Sequence, residues 1–218
     1  MKTTVRIKFA KTGRTKYISH LDLMRCFQRC IRRLELPIAY SEGFHPHMLL
    51  TLAGALSLGF ESQGEILELQ LKEEMKPEDV MTQMQTIVPD GLKILSCYVP
   101  RHKMAQLGYA EYQVTLPCED AAQLHRQWDQ FLAQPEILAV KKTKRGMREM
   151  DLKEQTECLS VTEYEDCLVL RLRLPAGSKV NINPALFIET FEKTEHVSFG
   201  FPKYCRMKLL TTEKTEFF

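Results

Sequence analysis

Between residues 4 and 34 the hydrophobic period changes from two to 3.6, and no other feature limits so strongly what the chain can fold into. In 4–10 (TVRIKFA) apolar and polar residues alternate, so Val5, Ile7 and Phe9 share one side of a strand. After a turn containing Gly13, the residues Leu23, Met24, Phe27, Cys30, Ile31 and Leu34 recur at helical spacing and gather on one side. Arg25, Arg29, Arg32 and Arg33 gather on the other. Ser19 with Asp22 three residues on is a variant of the capping box and marks the helix start. Leu36 before Pro37 is expected to stop it, since a residue preceding proline avoids the helical region.

The rest of the first half follows the same logic. Residues 41–47 form a turn in which Gly43 is free to take a positive φ, with Pro46 beside it. Apolar strands are expected at about 49–56 and 65–71, joined by a loop over 59–64. Pro77, Glu78 and Asp79 open a second helix that ends near 89–91, and 92–99 is a fourth strand. The order β-α-β-β-α-β is that of an antiparallel sheet with two helices on one face. After a boundary at 100–108, a strand (110–116), a helix (119–133), a strand (137–143), a hairpin (156–162 with 167–174), a helix begun by Asn183 and Pro184, and a strand (204–210) repeat that plan. The expectation is an α+β protein of two ferredoxin-like (βαββαβ) halves with antiparallel sheets, residues 1–105 and 106–218. The first carries the basic helix and the SEGFHP turn; the second adds a basic loop at 141–148.

Net charge is only +2, but it is unevenly placed. Residues 1–33 hold ten Lys or Arg (Lys2, Arg6, Lys8, Lys11, Arg14, Lys16, Arg25, Arg29, Arg32, Arg33) against one acid, Asp22, a net of +9, so the remainder is net acidic. Lys141, Lys142, Lys144, Arg145 and Arg148 make a second cluster. Guanidinium forks match phosphate oxygens, and cations on a polyanion release counterions, so RNA or another phosphate-rich ligand is the natural partner. Arg14, Lys16, Arg25, Arg29, Arg32, Arg33, Lys141, Lys144 and Arg145 are the expected phosphate contacts. Tyr17, Tyr40 and Phe44 lie near enough in sequence to stack on bases. The N-terminus lacks the apolar core of a signal peptide, and the nearly uncharged run 48–60 is shorter than a membrane span, which points to a cytoplasmic protein with no membrane partner.

Seven cysteines without a CxxC pair fit reduced thiols. Cys26 and Cys30 begin a CxxxCxxC spacing of the kind that holds an iron–sulfur cluster, but Arg33 occupies the third position and both cysteines fall on a helix, where buried thiols are the plainer reading. His45 and His47, with His20 or Asp22, do not define a metal-ligand spacing, and no metal is expected.

The segments KTGRTKYISHLDLMRCFQRCIRR, LPIAYSEGFHPH and LSLGFES-GE, and more weakly RGMREMDLKE, resemble the radical-SAM-linked protein family, a bacterial domain of unknown function. The resemblance covers the full length and departs at 48–51 (MLLT), where a Lys-Ile-Ser-like stretch is expected. It implies a companion to a cobalamin-binding radical-SAM protein, with iron–sulfur cluster and cobalamin on the partner and no cofactor in this chain. The leading expectation is therefore a non-catalytic accessory module that presents a tRNA-like RNA to that partner. Two alternatives stand beside it: an enzyme acting on RNA or a phosphorylated substrate, with His20, His45, Asp22 and Glu42 as acid–base candidates, and a protein-binding adaptor.

Overall fold

The computed structural model describes residues 3–143 and 146–218, and for 141–143 and 148 the backbone alone. It is an α+β structure with antiparallel strand pairing and, among the described residues, four α-helices. Contacts divide the chain into two compact units, Met1–Leu107 with Lys208–Phe218, and Gly108–Met207.

In the first unit β1 (Thr3–Lys11) lies between β3 (Glu61–Leu71) and β4 (Leu92–Tyr98), and the short β2 (Leu50–Leu52) pairs with the far side of β3. Val5, Ile7 and Phe9 are fully buried, as the alternation requires, and pack with Leu23, Phe27, Cys30 and Ile31 of α1 (His20–Arg33). The Phe9 and Phe27 rings meet edge to face, 4.9 Å between centroids. Helix α2 (Pro77–Gln85) adds Val80 and Met84, four residues apart and both buried, to the same core.

The ends of α1 explain its placement. Ser19 Oγ accepts from the Asp22 amide at 3.2 Å, and its hydroxyl donates to Asp22 Oδ2 at 2.7 Å, so the carboxylate is spent on the serine hydroxyl rather than on the serine amide. At the other end the Leu36 amide donates to Ile31 O and the Glu35 amide to Arg32 O, both at 3.2 Å, with Glu35 left-handed at φ 53°. This is a Schellman motif, and the buried side chains of Ile31 and Leu36 supply its apolar contact. The helix thus stops at Arg33 on its own carbonyls, before Pro37 can act. Glycine is the usual residue at Glu35's position, so Glu35→Gly is expected to raise stability by about 0.5–1 kcal/mol. A urea midpoint unchanged or lowered by the substitution would show that the carboxylate side chain offsets the backbone strain.

Gly91, just before β4, has φ 87°, and a Cβ there would meet Thr12 O and Thr15 Cγ2, each at 2.7 Å. Its carbonyl accepts from the Thr12 amide (2.8 Å) and the Thr15 hydroxyl (3.0 Å), which ties the 3-10 turn Gly13–Tyr17 to the base of β4. Gly91→Ala is expected to cost about 2–3 kcal/mol in thermal or urea unfolding, from the left-handed backbone together with the overpacking. A loss under about 1 kcal/mol would mean the turn shifts freely.

Three boundaries differ from expectation, the first being the end of α2, at Gln85 rather than near 89–91. β2 is only three residues long, because 53–60 leaves the sheet after the Ala53 amide reaches Ile66 O, and it passes the 3-10 turn, where the Gly59 amide donates to Lys16 O. β3 begins at Glu61 rather than 65: Ser62, Gly64 and Glu65 are buried although none is apolar, and the register pairs Lys11 with Ser62.

In the second unit the order is β10 (Lys203–Thr211), β5 (Leu107–Pro117), β9 (Cys167–Pro175), β8 (Glu157–Glu163). Helices α3 (Ala121–Ala133) and α4 (Pro184–Glu195) meet through an aromatic cluster in which Trp128 lies 5.0 Å from Phe191 and 5.6 Å from Phe187 between ring centroids. Between α3 and β8 the expected basic loop at 141–148 is instead a hairpin of β6 (Leu138–Thr143) and β7 (Gly146–Asp151), with Lys141 opposite Arg148 and Thr143 opposite Gly146. Its base is held by Asp151, whose Oδ1 accepts the Ile137 and Lys153 amides at 2.9 Å each. Those two bonds, the Ile137 amide first, hold the Asp151 carboxyl below its ordinary range.

Candidate nucleic-acid interface

The cations of the N-terminal segment separate into two sets. On β1, Arg6 is fully buried: Nε and Nη2 donate to Glu68 Oε2 at 2.9 and 2.8 Å, Nη2 also to His102 O at 2.7 Å, and Nη1 to Phe218 O at 2.8 Å. Lys8 pairs with Glu216 at 2.7 Å. Lys11 is buried, and its Nζ donates to the carbonyls of Lys16 and Ile18. These three cations of β1 are committed to partners within the fold, Arg6 and Lys11 buried and Lys8 ion-paired. Lys16 is half-committed, 3.9 Å from Glu61 and 5.3 Å from the Tyr17 ring centroid.

The second set is on α1. Arg25, Arg29, Arg32 and Arg33 are all exposed and, at 100° per residue, fall within a sector of about 100°. Arg25 is engaged by Asp22 one turn back, at 3.0 Å. Arg29, Arg32 and Arg33 make no side-chain hydrogen bond or ion pair among the described residues. Arg14, on the 3-10 turn, is exposed as well. The Ser19 hydroxyl, then Arg25, hold the Asp22 carboxyl below the ordinary carboxylate range, with Arg29 a lesser cause, so it is ionised near neutrality and sets one negative charge against the four helix cations. Lys144 and Arg145 lie outside the described residues, and for Lys141 only its place in the hairpin register is given.

The acid–base candidates lie on two elements, His20 and Asp22 on α1 and Glu42 and His45 on the turn 41–47. His20 is the first residue of α1 and is exposed, and Asp22 is committed to the cap and to Arg25. His45, Glu42, Gly43 and Pro46 are exposed in the turn 41–47, which is closed by the Ser41 amide to His47 O (2.9 Å), the His47 amide to Ser41 Oγ (3.0 Å), and Ser41 Oγ with His47 Nδ1 (2.8 Å). Phe44 stands fully exposed at the tip, beside Gly43 at φ 115°. Tyr40 and Met48, bridged across the base of this turn, border the same cleft as Arg32 in the last turn of α1. His20 opens the first turn, about 20 Å away along the axis. No group of three His, Cys, Asp or Glu among the described residues is placed to hold a metal ion. Cys30 is buried in the core, and that burial, with Cys26 beside it, pushes its thiol up to about 11, well away from a thiolate ligand at neutral pH.

The cleft itself was not legible in the sequence. Its volume is about 240 Å³; Arg32, Glu35, Tyr40 and Lys72 border it, over the buried Ile31, Leu36, Ile38 and Met48. The Lys72 ammonium is 5.4 Å from the Tyr40 ring centroid. In the sequence Tyr40 is only an aromatic near the basic helix, and Lys72 and Glu35 carry no local signal: Lys72 follows two further strands, and Glu35 enters through its backbone.

These features define a class: an α+β protein with a helix whose exposed face is guanidinium-rich, and in which no helix among the described residues is long and apolar enough to cross a membrane. The chain belongs to the family described as "Uncharacterized protein conserved in bacteria (DUF2344)", whose model matches residues 4–184. No curated protein matches it. Among solved structures it is similar to the acetolactate synthase small subunit from Thermotoga maritima (8% identity, 97% of each chain covered, TM-score 0.26) and to an unknown protein from Galdieria sulphuraria (13% identity, 94% of this chain and 99% of that one, TM-score 0.27). Likenesses this slight carry no argument about fold or function.

Proposed function

We propose that the protein is a non-catalytic RNA-binding module that presents a tRNA-like substrate to a radical-SAM partner in the cytoplasm, the partner supplying cluster and cobalamin. The observation that carries the RNA part is the guanidinium face of α1: four exposed arginines along one helix, three of them with no partner in the described structure. A solvated charged helix ordinarily mixes signs. On α1 itself the acid Asp22 is ion-paired with Arg25, and Arg29, Arg32 and Arg33 make no ion pair among the described residues. The radical-SAM partner rests on the resemblance of the ISHLDL and YSEGFHP segments alone.

The same reading takes the chain as two ferredoxin-like halves, 1–105 and 106–218. It is supported by the strand orders β4-β1-β3-β2 and β10-β5-β9-β8, each of which is the 4-1-3-2 order of a βαββαβ unit, with the β6–β7 hairpin inserted in the second. An enzyme built on His20 and His45 stands as the second reading, and no hydrogen bond or ion pair among the described residues links the two.

Copurification tests the proposal. Protein expressed and isolated at low salt is expected to carry RNA, seen as a raised 260/280 nm absorbance ratio that a high-salt wash removes, and to retain the radical-SAM protein on affinity resin. Nucleic-acid-free protein that also fails to hold total tRNA on a filter at low salt would contradict the RNA part. A partner recovered without RNA would favour the adaptor.

A further inference from the structure

The arginine row of α1 leads somewhere. Arg25, Arg29 and Arg32 climb the helix at intervals of four and three residues, about 10 Å in all, and Arg32 forms the lip of the cleft beside Tyr40 and Lys72. Four properties of this cleft bear on what it accepts. Its floor is apolar and buried. Tyr40 borders the cleft, 37% exposed and with Lys72 Nζ 5.4 Å from its ring centroid, on a fixed backbone: the Ala39 amide donates to Gln70 O at 2.7 Å, and Tyr40 bridges to Met48. Among the described residues Arg32 and Lys72 make no ion pair, and Glu35 is the acid that borders the cleft. Glu35 also keeps a left-handed backbone that glycine would adopt without strain, and such positions collect at ligand sites.

We infer that this cleft is a nucleotide subsite. One unstacked base of a single-stranded segment stacks on Tyr40 over the apolar floor. Arg32 and Lys72 take the phosphates on either side of it, and Arg29 and Arg25 the phosphates next along. The inference rests on the RNA reading of the helix face and narrows it to single strands or loops. A duplex keeps its bases stacked on one another and offers a cleft of this size only backbone, whereas a splayed base presents a flat apolar face to an aromatic ring. An acidic peptide would satisfy the two cations yet leave the aromatic ring and the floor uncovered, which is why a nucleotide is preferred.

The test uses the full chain and fluorescence anisotropy with a labelled hexanucleotide, single-stranded or annealed to its complement. The single strand is expected to bind about tenfold more tightly than the duplex. Tyr40→Leu should lose about tenfold or more for the single strand and little for the duplex, since stacking on one aromatic contributes roughly that much. Tyr40→Phe should bind as the parent does, because the ring and not the hydroxyl is used; it also guards against a folding defect in the leucine variant, which circular dichroism checks directly. If Tyr40→Leu binds the single strand normally while Arg29→Glu with Arg32→Glu does not, the subsite is wrong and the RNA reading survives. If neither strand form binds the parent protein, both fall. Oligoglutamate that binds in a Tyr40-dependent way would overturn the subsite in favour of an acidic peptide.

Discussion

Replacing Arg6 with methionine is expected to lower the unfolding free energy by about 3–5 kcal/mol, the loss typical when one partner of a buried ion pair is removed. The side chain is a hub. It binds Glu68 through two nitrogens, takes the carbonyls of His102 and Phe218, and lies 4.5 Å from the Phe217 ring centroid. Removing it leaves a largely buried carboxylate and the His102 carbonyl without the donor that Arg6 supplies, and takes one of the donors from Phe218 O, which keeps the Arg101 and His102 amides. The attraction between Arg6 and Glu68 is not itself the source of the cost, since taking both charges out of water offsets much of it. The double variant Arg6→Met with Glu68→Leu should therefore recover a good part of the loss, and the two single variants should be strongly non-additive. Urea unfolding followed by far-UV circular dichroism measures this; an Arg6→Met midpoint within about 1 kcal/mol of the parent would mean that water replaces the lost donors and the residue is not a structural hub.

The opposite outcome is expected on the helix. Arg29→Glu with Arg32→Glu should leave stability within about 0.5 kcal/mol, because both side chains are exposed and make no hydrogen bond or ion pair among the described residues. The same double variant should weaken tRNA binding on the order of 100-fold at low salt, two phosphate contacts being replaced by two repulsions. Lys8→Gln makes the useful contrast: it removes a cation of equal charge from the same N-terminal segment, yet one already satisfied by Glu216, so RNA affinity should stay within about threefold. Together these variants separate net charge from charge available to a ligand. If Lys8→Gln weakened RNA binding as much as the helix variant, the binding would be a diffuse effect of total charge rather than a face.

What the sequence made legible, and what it hid, follows from the range of the interactions. α1 could be read because every signal it uses is local: the apolar stripe through Leu23, Phe27, Cys30 and Ile31, and the Ser19 cap. α2, with Pro77 and two acids in its first turn, and α4, with Asn183 and Pro184, could be read for the same reason. The start of β3 could not, because Ser62, Gly64 and Glu65 are buried by neighbours rather than by their own apolarity. β7 was hidden by its charges: GMREMD has no apolar alternation, and its pairing with β6 is set by backbone register. The basic surface was half legible. The helix cations lie on one face by periodicity alone, but the fates of Arg6 and Lys8 depend on Glu68 and Glu216, 62 and 208 residues away, which no local pattern reveals. The cleft needed three distant pieces, the Schellman turn at Glu35, the extended segment at Tyr40 and the end of β3 at Lys72, and only the fold brings them together.

The salt dependence of tRNA binding tests the central claim most directly. Each phosphate neutralised contributes about 0.7–0.9 to the slope of log K against log salt, so the parent protein, with Arg14 and the four arginines of α1 exposed, is expected to show a slope of about −3.5 to −4.5. In Arg29→Glu with Arg32→Glu the slope should become shallower by about two contacts' worth. A parent slope near zero, or one that the double reversal leaves unchanged, would contradict the assignment of this helix as the surface that meets RNA.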